Sequence, residues 1–207
     1  SGLTSINIPS SVKSIGEGAF SFCDNLASIN VDTLNKNYMS ENGILFTKTR
    51  EALIAYPGGK MTTTYTIPNS VENIDAGAFM DCISLTSVTI PDSVMIIGEY
   101  AFSGCSNLKD VAIGNGITAI DVGAFTECSK LSDVYYSGSK DNWNNISINS
   151  DNDYLLNATI HFNSISESDL KIMTYNVYCK NEKVKNAATG KVTDCRYETR
   201  ARYIVNN

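Results

Sequence analysis

The sequence predicts a β-rich solenoid, in which short parallel strands and helical turns repeat every 23 residues and stack along one axis. Three phenylalanines carry this period, because Phe79, Phe102 and Phe125 lie 23 residues apart. The same spacing recurs in a cysteine series and an isoleucine series, which comprise Cys82, Cys105, Cys128, Ile74, Ile97 and Ile120. One unit of this length cannot bury its own apolar face, so such units must stack on their neighbours.

A single repeat unit, opened by Leu85, shows how each segment is expected to fold. Leu85, Val88 and Ile90 are separated by small polar residues, which predicts a short strand with these three side chains buried. A Pro-Asp-Ser turn follows the strand. Further on, an Ala-Phe-x-x-Cys segment places Phe102 and Cys105 on one side of a single helical turn. Equivalent side chains of successive units are then expected to stack about 5 Å apart.

The pattern Ser-Val-x-x-Ile-Gly-x-x-Ala-Phe-x-x-Cys-x-x-Leu begins at Ser11, and its features recur in three further units. It resembles the leucine-rich repeats of BspA-like bacterial surface proteins, over about residues 1–163. The resemblance implies a leucine-rich-repeat solenoid with a parallel β ladder. It also implies a non-catalytic bacterial module, at the cell surface or secreted, that binds a protein or glycan ligand or serves as a spacer or targeting segment.

Two parts of the array depart from the regular repeat. The interval from Phe20 to Phe79 exceeds two full periods by roughly half a period. Residues of about 31–65 contain two apolar strands around a polar turn, so we expect an irregular unit that carries a hairpin. Residues of about 131–163 are rich in aromatic side chains, and we expect them to form a unit that caps the stack.

The character of the sequence changes after a polar linker at residues 164–168. Residues 170–177 alternate apolar and polar side chains, as a half-buried strand does. A polar loop follows, and Asp194 is a suitable N-cap for an amphipathic helix. The sequence therefore predicts a short strand-loop-helix tail over residues 169–207.

This tail resembles the opening of the endonuclease/exonuclease/phosphatase family, because its strand reads Leu-Lys-Ile-Met-Thr-Tyr-Asn-Val. The resemblance implies that Asn176 corresponds to the family's asparagine beside the divalent metal. The metal-binding glutamate and the later catalytic residues of that family do not follow, so we expect no such activity and no cofactor for this chain. Alternatively, the repeats are the targeting part of a metal-dependent phosphoesterase or nuclease whose catalytic domain follows Asn207. Mg²⁺ or Mn²⁺ would then belong to the complete enzyme only.

Charge and hydropathy exclude some classes of partner. Residues 1–168 have eight basic and 18 acidic side chains, net −10, whereas residues 169–207 have eight and four, net +4. An acidic solenoid is a poor nucleic-acid binder, because neutralising phosphates requires a positive face. No run of residues approaches the roughly 18 apolar residues that a membrane span requires. The chain begins in repeat phase, without a signal peptide or capping unit, so we interpret it as a piece of a longer protein.

The cysteines are predicted to be structural. Cys82, Cys105 and Cys128 fall on successive repeats rather than around one ion, and the paired spacing typical of zinc sites does not occur. We therefore expect a ladder of buried free thiols and no metal site. Cys179 and Cys195 lie outside this ladder, and the sequence leaves open whether they form a disulfide.

Two further groups of residues are considered as sites. His161 is the only histidine, so a Ser-His-Asp arrangement would require it, but it alternates with Ile160 and Phe162 as in a strand. A structural role is therefore expected for His161. The Asp-Asn-Asp segment at residues 151–153 has calcium-ligand chemistry but lacks the glycine and the distal glutamate of an EF-hand loop. A solvated loop is the favoured interpretation.

Aromatic side chains provide the candidates for ligand binding, because the outward strand positions elsewhere are small and polar. The candidates are Tyr135, Tyr136, Trp143 and Tyr154. They would stack on sugar rings or on a partner protein. The favoured alternative is that they cover the end of the solenoid.

The tail raises the question of what covers its apolar helix stripe and its strand edges. Residues 169–207 would either pack on the end of the solenoid or pair with the same segment of a second copy. Because strand edges pair readily with identical edges, a homodimer through this segment is slightly favoured.

Overall fold

The computed structural model describes residues 2–162 throughout and, beyond them, the backbone of two short strands. The chain divides into two compact units, Ser1–Asn163 and Ser164–Asn207. The two short strands pair antiparallel within the stretch predicted to be a polar loop. The predicted strand at residues 170–177 and the helix after Asp194 lie outside the described residues.

The regular secondary structure of the first unit consists mainly of short strands, which are joined by turns. In chain order these are β1 (Ser5–Ile8), β2 (Ser28–Val31), β3 (Tyr38–Glu41), β4 (Ile44–Thr47), β5 (Ala52–Ala55), β6 (Thr64–Thr66), β7 (Asn73–Ile74), β8 (Ser87–Ile90), β9 (Ile96–Ile97), β10 (Asp110–Ile113), β11 (Ala119–Ile120), β12 (Asp133–Tyr136), β13 (Ser147–Ile148) and β14 (Thr159–Phe162). Two short helices, α1 (Lys140–Asn144) and α2 (Asp153–Leu156), flank β13. The second unit contains β15 (Val184–Lys185) and β16 (Val192–Thr193).

The strands form parallel ladders, as the repeat predicts. A five-stranded sheet has the order β14-β12-β10-β8-β6, and all its neighbours are parallel. Val88, Val111 and Val134 stand opposite one another in it, so each of these steps is one repeat period. The strands β5, β7, β9, β11 and β13 form a second parallel ladder, and β1 pairs with β2 in the same way. This arrangement confirms the predicted solenoid.

The irregular unit is an antiparallel meander. Strands β3 and β4 are joined by Asn42 and Gly43, which both have left-handed φ angles of 53° and 77°. A two-residue turn of this kind matches the twist of a hairpin. Strand β4 then pairs antiparallel with β5, which returns the chain to the parallel ladder. The sequence predicts two strands here, and the structure has three, because the turn at Asn42 and Gly43 divides the first of them into β3 and β4.

A ladder of stacked rings runs through the core. Phe79, Phe102 and Phe125 are fully buried, with ring centroids 4.7 and 5.1 Å apart and planes within 13° of parallel. Tyr56, one period before Phe79, extends the stack at 5.1 Å. The backbone N–H of Phe102 donates to the Ala124 carbonyl of the next rung at 2.7 Å, so each ring is held in place by its own main chain.

In the rung that follows Phe125, a side chain replaces one of the backbone hydrogen-bond acceptors. Asn152 is buried, and its Oδ1 accepts the Phe125 N–H at 3.0 Å, in place of the backbone carbonyl that accepts the equivalent N–H in the earlier rungs. Its Nδ2 donates to the carbonyls of Asp121 and Asn149 at 2.8 and 3.0 Å. The favoured interpretation of residues 151–153 as a solvated loop is therefore wrong for Asn152, because an amide can satisfy both donors and acceptors in a buried position.

The predicted thiol ladder lies beside the rings. Cys105 Sγ donates to the Phe79 carbonyl at 3.0 Å, and Cys128 Sγ donates to the Phe102 carbonyl at 3.1 Å. Burial raises the pKa of the thiols of Cys82, Cys105 and Cys128, to about 12 for Cys128. The three groups therefore stay protonated near neutral pH and act as small apolar side chains with a weak donor. The Ala-Phe-x-x-Cys segments are hydrogen-bonded turns rather than helices.

Removal of one ring from the stack should destabilise the solenoid. Phe102→Ala is expected to lower the free energy of unfolding by about 3–5 kcal/mol, because a large buried side chain leaves a cavity between two neighbours. Denaturant titration followed by circular dichroism measures the change. Phe22→Ala is the matched control, since Phe22 is 73% exposed and should change little. Equal stability of the two variants would contradict the role of the stack.

The buried thiols should resist alkylation. Iodoacetamide at about pH 8 is expected to leave Cys82, Cys105 and Cys128 unmodified, because a thiolate is required for the reaction and burial suppresses it. Peptide mass mapping reads the labelling site by site. The same treatment in guanidinium chloride should label all three. Labelling of the folded chain at the rate of the denatured chain would show that the ladder is accessible.

Candidate functional site

The five-stranded sheet turns one face to the core and one outward. Its core side presents Val88, Val111 and Val134. The outward positions form two rows, which we name together the outer sheet face. The first row holds Thr64, Ser87, Asp110, Asp133 and Thr159, and the second holds Thr66, Thr89, Ala112, Tyr135 and His161.

The outer sheet face carries an ordered aromatic pair at its last two strands. The rings of Tyr135 and His161 stack at 4.6 Å with their planes 12° apart, and Tyr135 is 49% exposed. His161 Nε2 lies 2.7 Å from Asp133 Oδ1, and Ser132 Oγ donates to Asp133 Oδ2 at 2.7 Å. The hydrogen bonds from His161 and Ser132 lower the pKa of the Asp133 carboxyl. The imidazole is thus held in one orientation against the tyrosine ring.

The other residues of the same row have short side chains. Next to Tyr135 lie Ala112, Thr89 and Thr66, whose side chains are too short to cover the second face of the tyrosine ring. Asp110 stands opposite Asp133 in the neighbouring row. The outer sheet face is therefore a small-residue floor with a stacked aromatic wall at one end and carboxylates alongside.

The structure separates the four aromatic candidates. Tyr135 and Tyr154 are exposed, on β12 and on α2. Tyr136 and Trp143 are buried, and their rings meet edge to face at 5.2 Å, with Phe162 6.5 Å from each. Their rings pack in the core, so they are not available to a ligand at the surface. That they cap the stack stays a prediction.

His161 lies in a strand, as expected from its alternation with apolar residues, but its side chain faces outward with Tyr135. The repeat pattern of the sequence does not reveal this pairing, because the step from β12 to β14 is slightly longer than one repeat period, as the register of Tyr135 and His161 shows. Ser132 and His161 are each hydrogen-bonded to Asp133 and not to each other. The arrangement orients an imidazole, but it does not place a serine hydroxyl on a histidine base.

Residues 2–162 contain no group of three or more His, Cys, Asp or Glu side chains that could hold a metal ion. Asp151 and Asp153 are exposed, while Asn152 between them turns into the core. Asn176, Cys179 and Cys195 lie outside the described residues, so their predicted roles stay predictions. Over the same described part of the chain, no helix is long and apolar enough to cross a membrane.

Several solved structures are similar to the chain. A leucine-rich repeat protein from Eubacterium ventriosum is 28% identical with a TM-score of 0.46, and the match covers 64% of this chain and 48% of that one. A leucine rich cell surface protein from Faecalibacterium prausnitzii is 30% identical with a TM-score of 0.46, over 70% of this chain and 51% of that one. The chain thus spans about half the length of these two proteins. No curated protein matches the chain.

The sequence matches the model of one protein family over most of its length. That family is the BspA type leucine-rich repeat region, and six copies match residues 1–51 and 55–185. The match extends over residues 170–177, which resemble the first strand of the endonuclease/exonuclease/phosphatase family, and the comparisons give no support to that second resemblance. The chain belongs to the BspA type leucine-rich repeat family.

Proposed function

We propose that the chain is a non-catalytic binding module of the bacterial cell surface, and that it binds a protein or glycan through the outer sheet face. The observation that carries this proposal is the exposed, stacked pair of Tyr135 and His161, in which His161 is hydrogen-bonded to Asp133. The resemblance of the repeats to BspA-like surface proteins supports the location. A secreted form would present the same face.

The aromatic pair is suited to binding because its geometry is set before a ligand arrives. Tyrosine contributes a large contact area at low entropic cost, and it is enriched among the residues that dominate binding energy. The hydrogen bond from His161 to Asp133 removes rotational freedom that a ligand would otherwise have to restrict. A planar group, such as a sugar ring or an aromatic side chain, can stack on the uncovered face of Tyr135.

The polar groups beside the pair support the same proposal. Asp110 and Asp133 lie in the row next to Tyr135 and offer carboxylate oxygens to hydroxyl or amide donors of a ligand. The floor of Ala112 and Thr89 allows a ligand to approach the backbone closely. These features describe recognition, and Ser132 is engaged by Asp133 rather than prepared as a nucleophile.

The proposal is tested with the complete 207-residue chain on a glycan array and on immobilised serum glycoproteins and mucins. The double variant Tyr135→Ser/His161→Ser should weaken any binding that the wild type shows by at least about tenfold, because the aromatic anchors are lost. Biolayer interferometry measures the dissociation constants. Tyr154→Ser is the matched control, since it removes an exposed tyrosine elsewhere.

Two results would contradict this function. One is a double variant that keeps wild-type affinity, which would place binding elsewhere on the chain. The other is the absence of any interaction across the glycans and glycoproteins at millimolar chain concentration, which would favour a spacer over a binding module. Circular dichroism of each variant confirms that the fold is kept.

A further inference from the structure

One rung of the solenoid is two residues short at a corner. In the rung of β7, the chain passes from Ile74 to Phe79 through four residues. In the preceding rung, it passes from Leu53 to Tyr56 through two. Both ends of the corner are nevertheless aligned, because Leu53 is the strand partner of Ile74 and the Tyr56 ring stacks on Phe79. The whole difference in length between the two rungs therefore lies in the corner.

The short corner leaves an opening between its two neighbours. It is lined by residues 15–21 of the first repeat, by residues 54–56 of the short corner, and by residues 75–78 and Met80 of the β7 rung. The opening, which we name the notch, has a volume of about 450 Å³ including space open to solvent. A Cβ on Gly77 would lie 3.7 Å from Gly18 Cα, so the two walls are close together where these glycines meet. The notch is narrow and fits a slender group.

A backbone acceptor in the notch has lost its ordinary partner. In the next two rungs, the Glu99 carbonyl accepts from the Gly77 N–H at 2.9 Å and the Val122 carbonyl accepts from Tyr100 at 3.1 Å. The equivalent carbonyl in the β7 rung belongs to Ala76, which lines the notch. The shortened rung has no residue at the position that would donate to it, and within residues 2–162 no backbone N–H donates to the Ala76 oxygen. With respect to that part of the chain, the Ala76 oxygen is open to a donor from a ligand.

Two carboxylates line the same opening. Asp75 is half-buried on one wall, and Glu17 is exposed on the other. Burial and the negative charge of Glu17 raise the pKa of the Asp75 carboxyl. No lysine or arginine is among the lining residues. Within residues 2–162 the Asp75 carboxylate accepts no hydrogen bond. The negative potential of the notch is thus uncompensated, in a segment whose net charge is already −10 for residues 1–168.

We propose that the notch binds an alkylammonium group, such as the side chain of a lysine on a partner molecule. An ammonium has three donors, and the notch offers Asp75, Glu17 and the Ala76 carbonyl as acceptors. The apolar stem of the ligand contacts Phe20 and Ile54, which also line the notch. This site is separate from the outer sheet face, and it does not rest on the function proposed there.

An ammonium fits the notch better than a divalent metal ion does. Calcium takes six to eight oxygen ligands, and the notch provides two carboxylates and one carbonyl. A metal ion also makes no use of the apolar lining, because it has no carbon stem. A primary amine on a short carbon stem uses both the charge and the apolar surface.

The test is a titration of the complete ¹⁵N-labelled chain with n-butylammonium chloride, followed by amide chemical shifts. Saturable shifts at Gly18 and Gly77 are expected, with a dissociation constant in the roughly millimolar range for so small a ligand. n-Butanol, which has the same stem without the charge, and sodium chloride should not reproduce them. N-acetyl-lysine methylamide, which carries the amine on a peptide unit, should bind at the same amides.

Variants identify which carboxylate binds the ammonium group. Asp75→Asn should weaken n-butylammonium binding by at least about tenfold, since a hydrogen bond to a charged group is lost. Asp121→Asn is the matched control, because Asp121 follows Ile120 as Asp75 follows Ile74 but faces no shortened rung. If Asp75→Asn does not fold, Glu17→Gln at the exposed wall serves instead and should also weaken binding. Absent shifts, equal shifts with n-butanol, or unchanged affinity in the folded carboxylate variant would each overturn the proposal.

Discussion

The structure depends on the registration of each rung on the next through backbone hydrogen bonds. The N–H of Phe102 and the carbonyl of Ala124 illustrate the contact, which recurs rung by rung and sets the ring spacing of Phe102 and Phe125 at 5.1 Å. Because the main chain is held at this spacing, buried side chains one period apart lie directly on one another and must pack favourably in that arrangement. Rings, thiols and valines satisfy that requirement, whereas charged side chains at those positions would repeat unpaired charges through the core.

The rung after Phe125 departs from this regular hydrogen-bonding pattern at one position. There the amide oxygen of Asn152 takes the place of the backbone carbonyl that accepts the equivalent N–H in the earlier rungs. The rings of Tyr136 and Trp143 meet edge to face in the apolar interior of the same part of the solenoid. The stability of the solenoid rests on this core, and the outward side chains of the five-stranded sheet are released from packing.

Both proposed sites arise where the chain departs from its regular repeat period. The lengthened step from β12 to β14 brings His161 over Tyr135, and the shortened corner exposes the Ala76 carbonyl beside Asp75. A perfect repeat keeps every rung covered by an identical neighbour, so it offers uniform surfaces. An insertion or deletion leaves groups without their usual partners, and these groups become available to a ligand.

The sequence by itself determined the solenoid, its period and the buried ring and thiol ladders, because a fixed spacing at several positions admits one stacking. The tertiary structure decided which way individual side chains point. Tyr135 faces solvent and Tyr136 faces the core, although both are tyrosines in one strand, since neighbouring residues of a strand point to opposite faces. Asn152 turned inward and His161 outward because their orientation depends on the register of the last rungs. A step that is longer than one period is invisible to a pattern of strict period, so only the folded chain shows that register.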